Sequence, residues 1–280
     1  MKVTFYGVRG SVPTPGPSTV RYGGNTSCVA VRLADDTLVV FDAGTGARVL
    51  GDELASRALP DPIHFFITHS HWDHIFGAPF FAPFYRRDAH VVLHAMSERM
   101  HGAVARMALF DGEHFPVRAR DLPAHIERPP VAGEVRIGSA RLTSVALNHP
   151  GGAEGFRLDD AGGASLCYLT DNELHPPGAP ATTPAELAAF ARGAGLLIHD
   201  AQYLPADMPE KLGWGHSLIP DVLALGREAE ARTLALYHHD PSRDDEALAG
   251  IERDAVAWAA ERAPAMKVLV AAEGMTLEVS

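Results

Sequence analysis

Ile63-His-Phe-Phe-Ile-Thr-His-Ser-His-Trp-Asp-His-Ile-Phe-Gly77 places three histidines and an aspartate within six residues, directly behind an apolar run. Residues 63–67 have the length and composition of a short buried strand. Asp73, followed by His74, Ile75 and Phe76, reads as the opening turn of a helix. The polar groups therefore fall at a strand-to-helix corner. In an extended segment residues i and i+2 point the same way, so His69 and His71 are set to grip one ion from one side. Asp73 and His74 lie past the bend and are set to face a second. Imidazole together with carboxylate suits zinc, manganese or iron, and such mixed donors mark catalytic rather than structural sites. The chain holds fifteen histidines, but an H-x-H-x-D-H string at a strand end is far more specific than a scattered histidine.

The 280 residues suffice for one large α/β domain or two small ones, and 46 % hydrophobic content supplies a sizeable core and excludes a disordered chain. No stretch approaches the roughly 18 uninterrupted apolar residues of a membrane span. Met1-Lys-Val-Thr-Phe5 runs straight into a strand pattern rather than a signal peptide. The expectation is a soluble, cytoplasmic protein with no membrane partner. Cys28 and Cys167 sit in strand-like segments and read as buried thiols. The net charge of −11, with no run of Lys and Arg, argues against a long polyanion, so no long nucleic acid is expected as a partner. A small phosphorylated substrate stays open, because bound metal ions supply positive charge locally. The oligomeric state is left open, a homodimer included.

Outside the central stretch, polar residues recur at the ends of apolar strands. Strands over 3–8, 28–33 and 37–42 bring Asp42 to a terminus; between the first two, Arg9 to Asn25 is a shaped loop rich in Pro and Gly. A helix over 47–57 leads back to the motif, and Phe80, Phe81, Phe84 and Tyr85 beyond it read as core or pocket wall. After a strand at 90–94, a helix over 97–110 and irregular chain to 130 make the segment of about 95–130 a candidate lid, with Phe110 and Phe115 closing over a compact ligand. Strands at 134–138 and 140–147 lead to His149, a hairpin over 155–159 and 164–170 leads to Asp171, and Gly195-Leu-Leu-Ile-His-Asp-Ala201 delivers Asp200. Helix 184–192 precedes that last strand. Trp214-Gly-His-Ser217 reads as the cap of a helix to about 228, strand 233–238 ends in His238, and a helix over 243–262 precedes strands at 266–272 and 275–279. Asp42, His69, His149, Asp171, Asp200 and His238 thus converge on one sheet edge, as in the catalytic face of an α/β fold. No internal repeat is plain. The expected fold is α/β, one domain over residues 1–280 in which two mixed sheets form a sandwich with helices outside.

Asp42 after a strand, then His69-x-His71-x-Asp73-His74, His149, Asp171 and His238 in that order, resembles the metallo-β-lactamase superfamily over nearly the whole chain. The resemblance implies an αββα sandwich with two divalent transition-metal ions between the loop edges of its sheets, zinc or manganese foremost and iron as an alternative. It implies that His69, His71 and His149 hold one ion, that Asp73, His74 and His238 hold the other, and that Asp171 bridges them while Asp42 orients. Asp171, where the β-lactamases of the superfamily carry cysteine, is similar to the phosphodiesterase branch that includes ribonuclease Z and the phosphoribosyl cyclic phosphodiesterases. So are Leu197-Ile-His-Asp-Ala201, Trp214-Gly-His-Ser217 and Ala272-Glu-Gly-Met-Thr-Leu277. The basic Gly/Pro-rich arm by which ribonuclease Z grips tRNA is not found.

The expected function is therefore a dinuclear metal-dependent hydrolase, a phosphodiesterase for a small phosphodiester, cyclic ones included, acting through a metal-bridging hydroxide. Two ions about 3.5–4 Å apart lower the pKa of a shared water from about 15.7 towards 7 and clamp the attacking and leaving oxygens. Asp73 is the candidate to accept a proton from that water. His216 is the candidate to protonate the leaving alkoxide or hold a phosphate oxygen, against a plain role beside a helix start. Asp200 divides between orienting a histidine and capping. His175, His199, His239 and Asp240 are weaker candidates, and Arg9, Arg21, Asn25 and Ser27 read as a structural loop before a substrate contact. The competing classes are a metal hydrolase of a thioester, lactone or amide, and a non-catalytic metal-site sensor, which the intact ligand set disfavours.

Overall fold

A computed structural model describes residues 1–98, 110, 112, 113 and 115–280. The first sheet contains β1 (Lys2–Gly7), β2 (Cys28–Arg32), β3 (Leu38–Phe41), β4 (Ile63–Phe66), β5 (His90–His94), β6 (His125–Glu127) and the last strand of the chain, β14 (Thr276–Glu278), in the order β14-β1-β2-β3-β4-β5-β6. The second contains β7 (Glu134–Ile137), β8 (Ala140–Leu147), β9 (Ala153–Asp160), β10 (Ser165–Leu169), β11 (Leu196–Asp200), β12 (Thr233–Tyr237) and β13 (Lys267–Val270), in the order β13-β12-β11-β10-β9-β8-β7. β1 to β3 form an antiparallel meander and β4 to β6 continue in parallel. β8 to β10 and β11 to β13 do the same. The two halves therefore repeat one topology, although no repeat is visible in the sequence.

The central strands are apolar on both faces, as strands covered on both sides must be. Their inner residues meet between the sheets: Val29, Val31, Val39, Phe41 and Phe66 face Phe156, Leu158, Tyr168, Ile198 and Tyr237. Outside the first sheet, Leu38, Val40, Ile63 and Phe65 pack under α1 (Gly46–Ala55) through Ala47, Leu50 and Leu54. Outside the second sheet, Cys167, Leu197, Leu234 and Leu236 pack under α3 (Pro184–Phe190), α4 (Ile219–Glu228) and α5 (Asp245–Arg262). A short α2 (Trp72–Ile75) carries the centre of the motif. Phe41 stacks on Tyr168 at 5.3 Å and on Phe156 at 5.6 Å, so the rings that lock the sheets together lie one residue from Asp42. Truncating such a fully buried ring costs about 3–5 kcal/mol.

Three details differ from the sequence reading. β6 lies within the stretch taken as irregular; its three residues, His-Ile-Glu, hold one apolar side chain and so carry no periodicity to read. Ser217 is no helix cap: its hydroxyl donates to the Asn172 carbonyl and accepts from Leu174 N, while Leu218 stands at the N-cap without a side-chain bond. Phe110 packs against Phe84 and Phe115 on the outer face of the first sheet. The helix expected over 97–110 lies almost wholly outside the described residues. Both cysteines are free and buried. Among the described residues no helix is long and apolar enough to cross a membrane.

Candidate metal centre

The chain leaves β3, β10 and β12 through Asp42, Asp171 and His238, whose φ angles of 60°, 58° and 61° lie in the left-handed region. Non-glycine residues enter it at a cost of roughly 1–2 kcal/mol, and Asp and His tolerate it better than most. Strain of this kind is held by surrounding structure and concentrates at functional sites. Two sets of donor atoms result, each lying within 4.8 Å of one another: His69, His71, His149 and Asp171, and Asp73, His74, Asp171 and His238. Asp171 belongs to both. Its Oδ2 is 3.6 Å from His69 Nε2 and 3.7 Å from His149 Nε2, while its Oδ1 is 3.0 Å from His74 Nε2 and 3.1 Å from His238 Nε2.

The outer nitrogens of the rings are tied down. His74 Nδ1 donates to Asp42 Oδ2 (2.8 Å), His238 Nδ1 to Gln202 Oε1 (2.9 Å) and His149 Nδ1 to the Gly215 carbonyl (3.0 Å). Each acceptor fixes the proton on Nδ1 and points Nε2 inward, the arrangement that prepares histidine to bind a metal. His74 Nε2 and His238 Nε2 consequently face each other at 3.3 Å, each within 3.3 Å of Asp73 Oδ2 and Asp171 Oδ1. His69 Nε2 is buried and has no hydrogen-bond partner. An unsatisfied buried nitrogen costs about 1–3 kcal/mol. Donors on one tetrahedral ion with bonds of about 2.0–2.2 Å lie about 3.3–3.6 Å apart. The inward lone pairs, paired carboxylates and orphaned nitrogen therefore fit two divalent ions.

Without ions, the charges are balanced by protons. Burial opposes a charge on His74, but Asp171, Asp73 and Asp42 outweigh it and raise its pKa well above 6.5. Burial and the neighbouring His74 drive His69 the other way. Burial also opposes the charges on Asp73 and Asp171, yet His74 beside the first, and His238, His74 and His69 around the second, hold both carboxyls below the usual range. The cluster retains its carboxylates and keeps a proton where a cation would sit.

Asp42 lies outside this ring of donors and is completely buried. Its oxygens accept from Thr68 N (2.8 Å), Thr68 Oγ1 (3.0 Å), His74 Nδ1 (2.8 Å) and Tyr168 OH (2.9 Å). Asp200 Oδ2 accepts from His216 Nδ1 at 2.7 Å and its Oδ1 from Gln202 N at 3.0 Å. Burial opposes a charge on His216, but Asp200 overrides it and pushes the pKa up to about 9. His216 and Asp171 help line an open cavity of about 420 Å³ with Ser11, Ser70, His71, Trp72 and Asp73. Several participants were not anticipated. Ser11 N donates to Asp73 Oδ2 at 2.8 Å, and Thr68, Tyr168 and Gln202 hold the rings or Asp42. Only the position of Thr68 next to His69 offered a signal. Gly215 has φ +89°, and a Cβ there would stand 2.2 Å from His149 Nδ1, so glycine is required for the ring to pack on its carbonyl. Arg9 is fully buried on the carbonyls of Gly23 and Arg243, Asn25 binds Glu273, and His239 Nε2 meets the Ala271 carbonyl, all structural roles.

A family model described as the Beta-lactamase superfamily domain matches residues 37–239. The chain belongs to that superfamily. Ribonuclease Z of Synechococcus sp. (strain WH7803) is 29 % identical over 300 aligned residues, which span 86 % of this chain and 85 % of that protein. Ribonuclease Z of Pseudomonas putida is 28 % identical over 89 % of this chain and 92 % of its own. The crystal structure of human tRNase Z, short form, superposes over 100 % of both chains with a TM-score of 0.66 at 20 % identity. Zn(2+)-bound PqqB from Methylobacterium extorquens superposes over 99 % of this chain and 100 % of its own, with a TM-score of 0.71 at 16 % identity. The two structures bear on the fold, which is the metallo-β-lactamase αββα sandwich. The chain is a metal-dependent hydrolase of this superfamily, and the family implies divalent metal ions. One expectation is corrected. Net charge had argued that no long nucleic acid is a partner, whereas relatives matched over most of their length are named ribonuclease Z. A whole-chain charge does not describe the surface around a cavity.

Proposed function

We propose that this protein is a dinuclear metal phosphodiesterase that cleaves RNA, with precursor tRNA as the substrate class to which the ribonuclease Z relatives point. In this reading His69, His71 and His149 hold one zinc or manganese ion, Asp73, His74 and His238 hold the other, and Asp171 holds both. The observation that carries it is the division of Asp171, one oxygen toward each set of histidines. Two bound divalent ions would supply Lewis acidity to the phosphate oxygens and a water of lowered pKa. Asp73, fixed by Ser11 N, accepts a proton from the attacking water. His216 has Nδ1 occupied by Asp200, which leaves Nε2 to deliver a proton to the departing oxygen. Trp72, 73 % exposed on the cavity wall, offers a face on which an unpaired base can stack, an affinity that needs no basic surface.

The test is to strip the protein, reconstitute it with zinc or with manganese, and assay end-labelled precursor tRNA beside cyclic mononucleotides and cyclic ribose phosphates. Cleavage of the precursor that is abolished by chelator is the expected result. Turnover of the small diesters with the RNA intact would overturn the RNA assignment. Turnover of neither, with thioesters or lactones hydrolysed, would overturn phosphodiester chemistry altogether.

A further inference from the structure

The opposite end of the first sheet carries a separate set of donors. His90 opens β5 and His125 opens β6, and the parallel register pairs them directly. Their rings stack at 4.7 Å with 15° between planes. Glu127, two residues along β6, projects to the same face. Its Oε1 is 3.1 Å from His90 Nε2 and 3.9 Å from His125 Nε2, and the three residues' donor atoms lie within 4.8 Å of one another. On the other side of the ring, His90 Nδ1 meets Asp61 Oδ1 at 3.0 Å. That carboxylate accepts a hydrogen bond from Nδ1–H, and in the neutral ring so oriented the lone pair lies on Nε2. Yet Nε2 is buried and makes no hydrogen bond: Glu127 Oε1 is near enough for one but lies off its axis. A lone pair and a carboxylate oxygen at this distance repel unless a positive charge sits beside both.

We infer that His90, His125 and Glu127 hold a further transition-metal ion, separate from the centre at the strand exits. Two imidazoles and a carboxylate suit zinc, and donors of one tetrahedral zinc lie about 3.3–3.6 Å apart, close to the 3.1 and 3.9 Å found here. Asp61 supplies the carboxylate–histidine link that orients a ligating ring. The ion would clip β6 to β5 and to the segment before β4. β6 is the terminal strand of its sheet, three residues long and with both end residues exposed, so its outer edge has no neighbouring strand. The competing occupant is a proton on His90, and the number of ions separates the two.

The experiment is a zinc titration of the metal-stripped full chain, with bound ions counted by elemental analysis after gel filtration, for the wild type, His125→Ala and Glu127→Gln. His125 is 66 % exposed, so its removal opens no core, and Glu127→Gln preserves shape. Each variant should bind one ion fewer per chain than the wild type, lose the corresponding zinc-dependent rise in melting temperature, and retain hydrolysis. Equal counts in all three proteins would overturn the assignment, whatever the substrate of the main centre proves to be.

Discussion

Asp42→Asn separates orientation of a ligand from ligation. Asp42 touches no ion in the proposed arrangement, yet its two oxygens accept four hydrogen bonds, from Thr68 N, Thr68 Oγ1, His74 Nδ1 and Tyr168 OH. Asparagine has the same shape but one acceptor oxygen, so an NH2 group must face donors on one side. If it faces His74, that ring can relieve the clash only by moving its proton to Nε2, the atom aimed at Asp73 and Asp171. If it faces Thr68, the Thr68 N–H is left unpaired in a fully buried site. One unsatisfied buried donor costs about 1–3 kcal/mol. Loss of such an outer partner typically costs 10–100-fold in metal affinity, or about 1.4–2.7 kcal/mol. The expected outcome is a lower melting temperature of the metal-free variant by circular dichroism. In competition with a chromophoric chelator, the ion at Asp73, His74 and His238 should weaken 10–100-fold. The ion at His69, His71 and His149 should weaken less, since His69 is reached from Asp42 only through the Thr68 hydroxyl. Unchanged affinity for both ions, or an equal loss at both, would refute the orienting role.

Asp171→Ala should remove the shared carboxylate, reduce bound metal at the centre to one ion or none, and abolish turnover; undiminished turnover would identify another bridge. His216→Ala should leave metal content intact and slow a methyl phosphodiester by roughly 10²- to 10⁴-fold while slowing a nitrophenyl ester far less, because only the poor leaving group needs a proton. Equal losses on both would make His216 a phosphate-binding group instead. Acid should destabilise the metal-free fold through His64 and His94, whose facing nitrogens are 2.9 Å apart. Burial lowers their pKa values to about 4 and about 3. The unfolded chain takes up protons below about 6.5 that the fold refuses, so their contribution is complete above that pH and is lost as pH falls through about 4. Melting temperatures measured from pH 7 to 4 should fall, and His94→Leu should flatten the fall; an unaltered slope would place the sensitivity elsewhere.

The strands were legible because both faces of the sheets are buried, so central strands hold short continuous apolar runs, as at Leu38–Phe41 and over 166–169. The residues at their exits were legible for the same reason: a charged or imidazole side chain at the end of such a run has nowhere neutral to go. The supports were not legible. Thr68, Tyr168 and Gln202 act through single hydrogen bonds that form only when distant segments meet, and a lone threonine, tyrosine or glutamine leaves no pattern. The left-handed turns at Asp42, Asp171 and His238 were equally hidden, since none is a glycine. The internal repeat was hidden because shared topology needs only the order of strands and their directions, while the side chains of the two halves have diverged. Asp42 and Asp171 make the point. Both follow the strand at which their sheet passes from antiparallel to parallel pairing, at nearly the same φ, yet one is sealed among four donors and the other lies between two sets of histidines.

That difference also explains why net charge misled. A total of −11 sums every exposed carboxylate, including the many on α5 and the loops. A phosphate approaching the cavity meets instead Asp73 and Asp171 beside His74, whose raised pKa keeps a positive charge next to both carboxylates in the ion-free chain. Two divalent ions in their place would add four positive charges at one sheet edge, in a cavity with an exposed indole on its wall. Recognition of a polyanion at its scissile bond depends on that local field and on stacking, both of which fall off within about a Debye length of 8–10 Å or within direct contact. The remaining surface can stay acidic and limit how much further RNA the protein contacts. On this account, raising salt should weaken RNA binding much less steeply than for a protein that grips many phosphates, and a steep salt dependence would refute it.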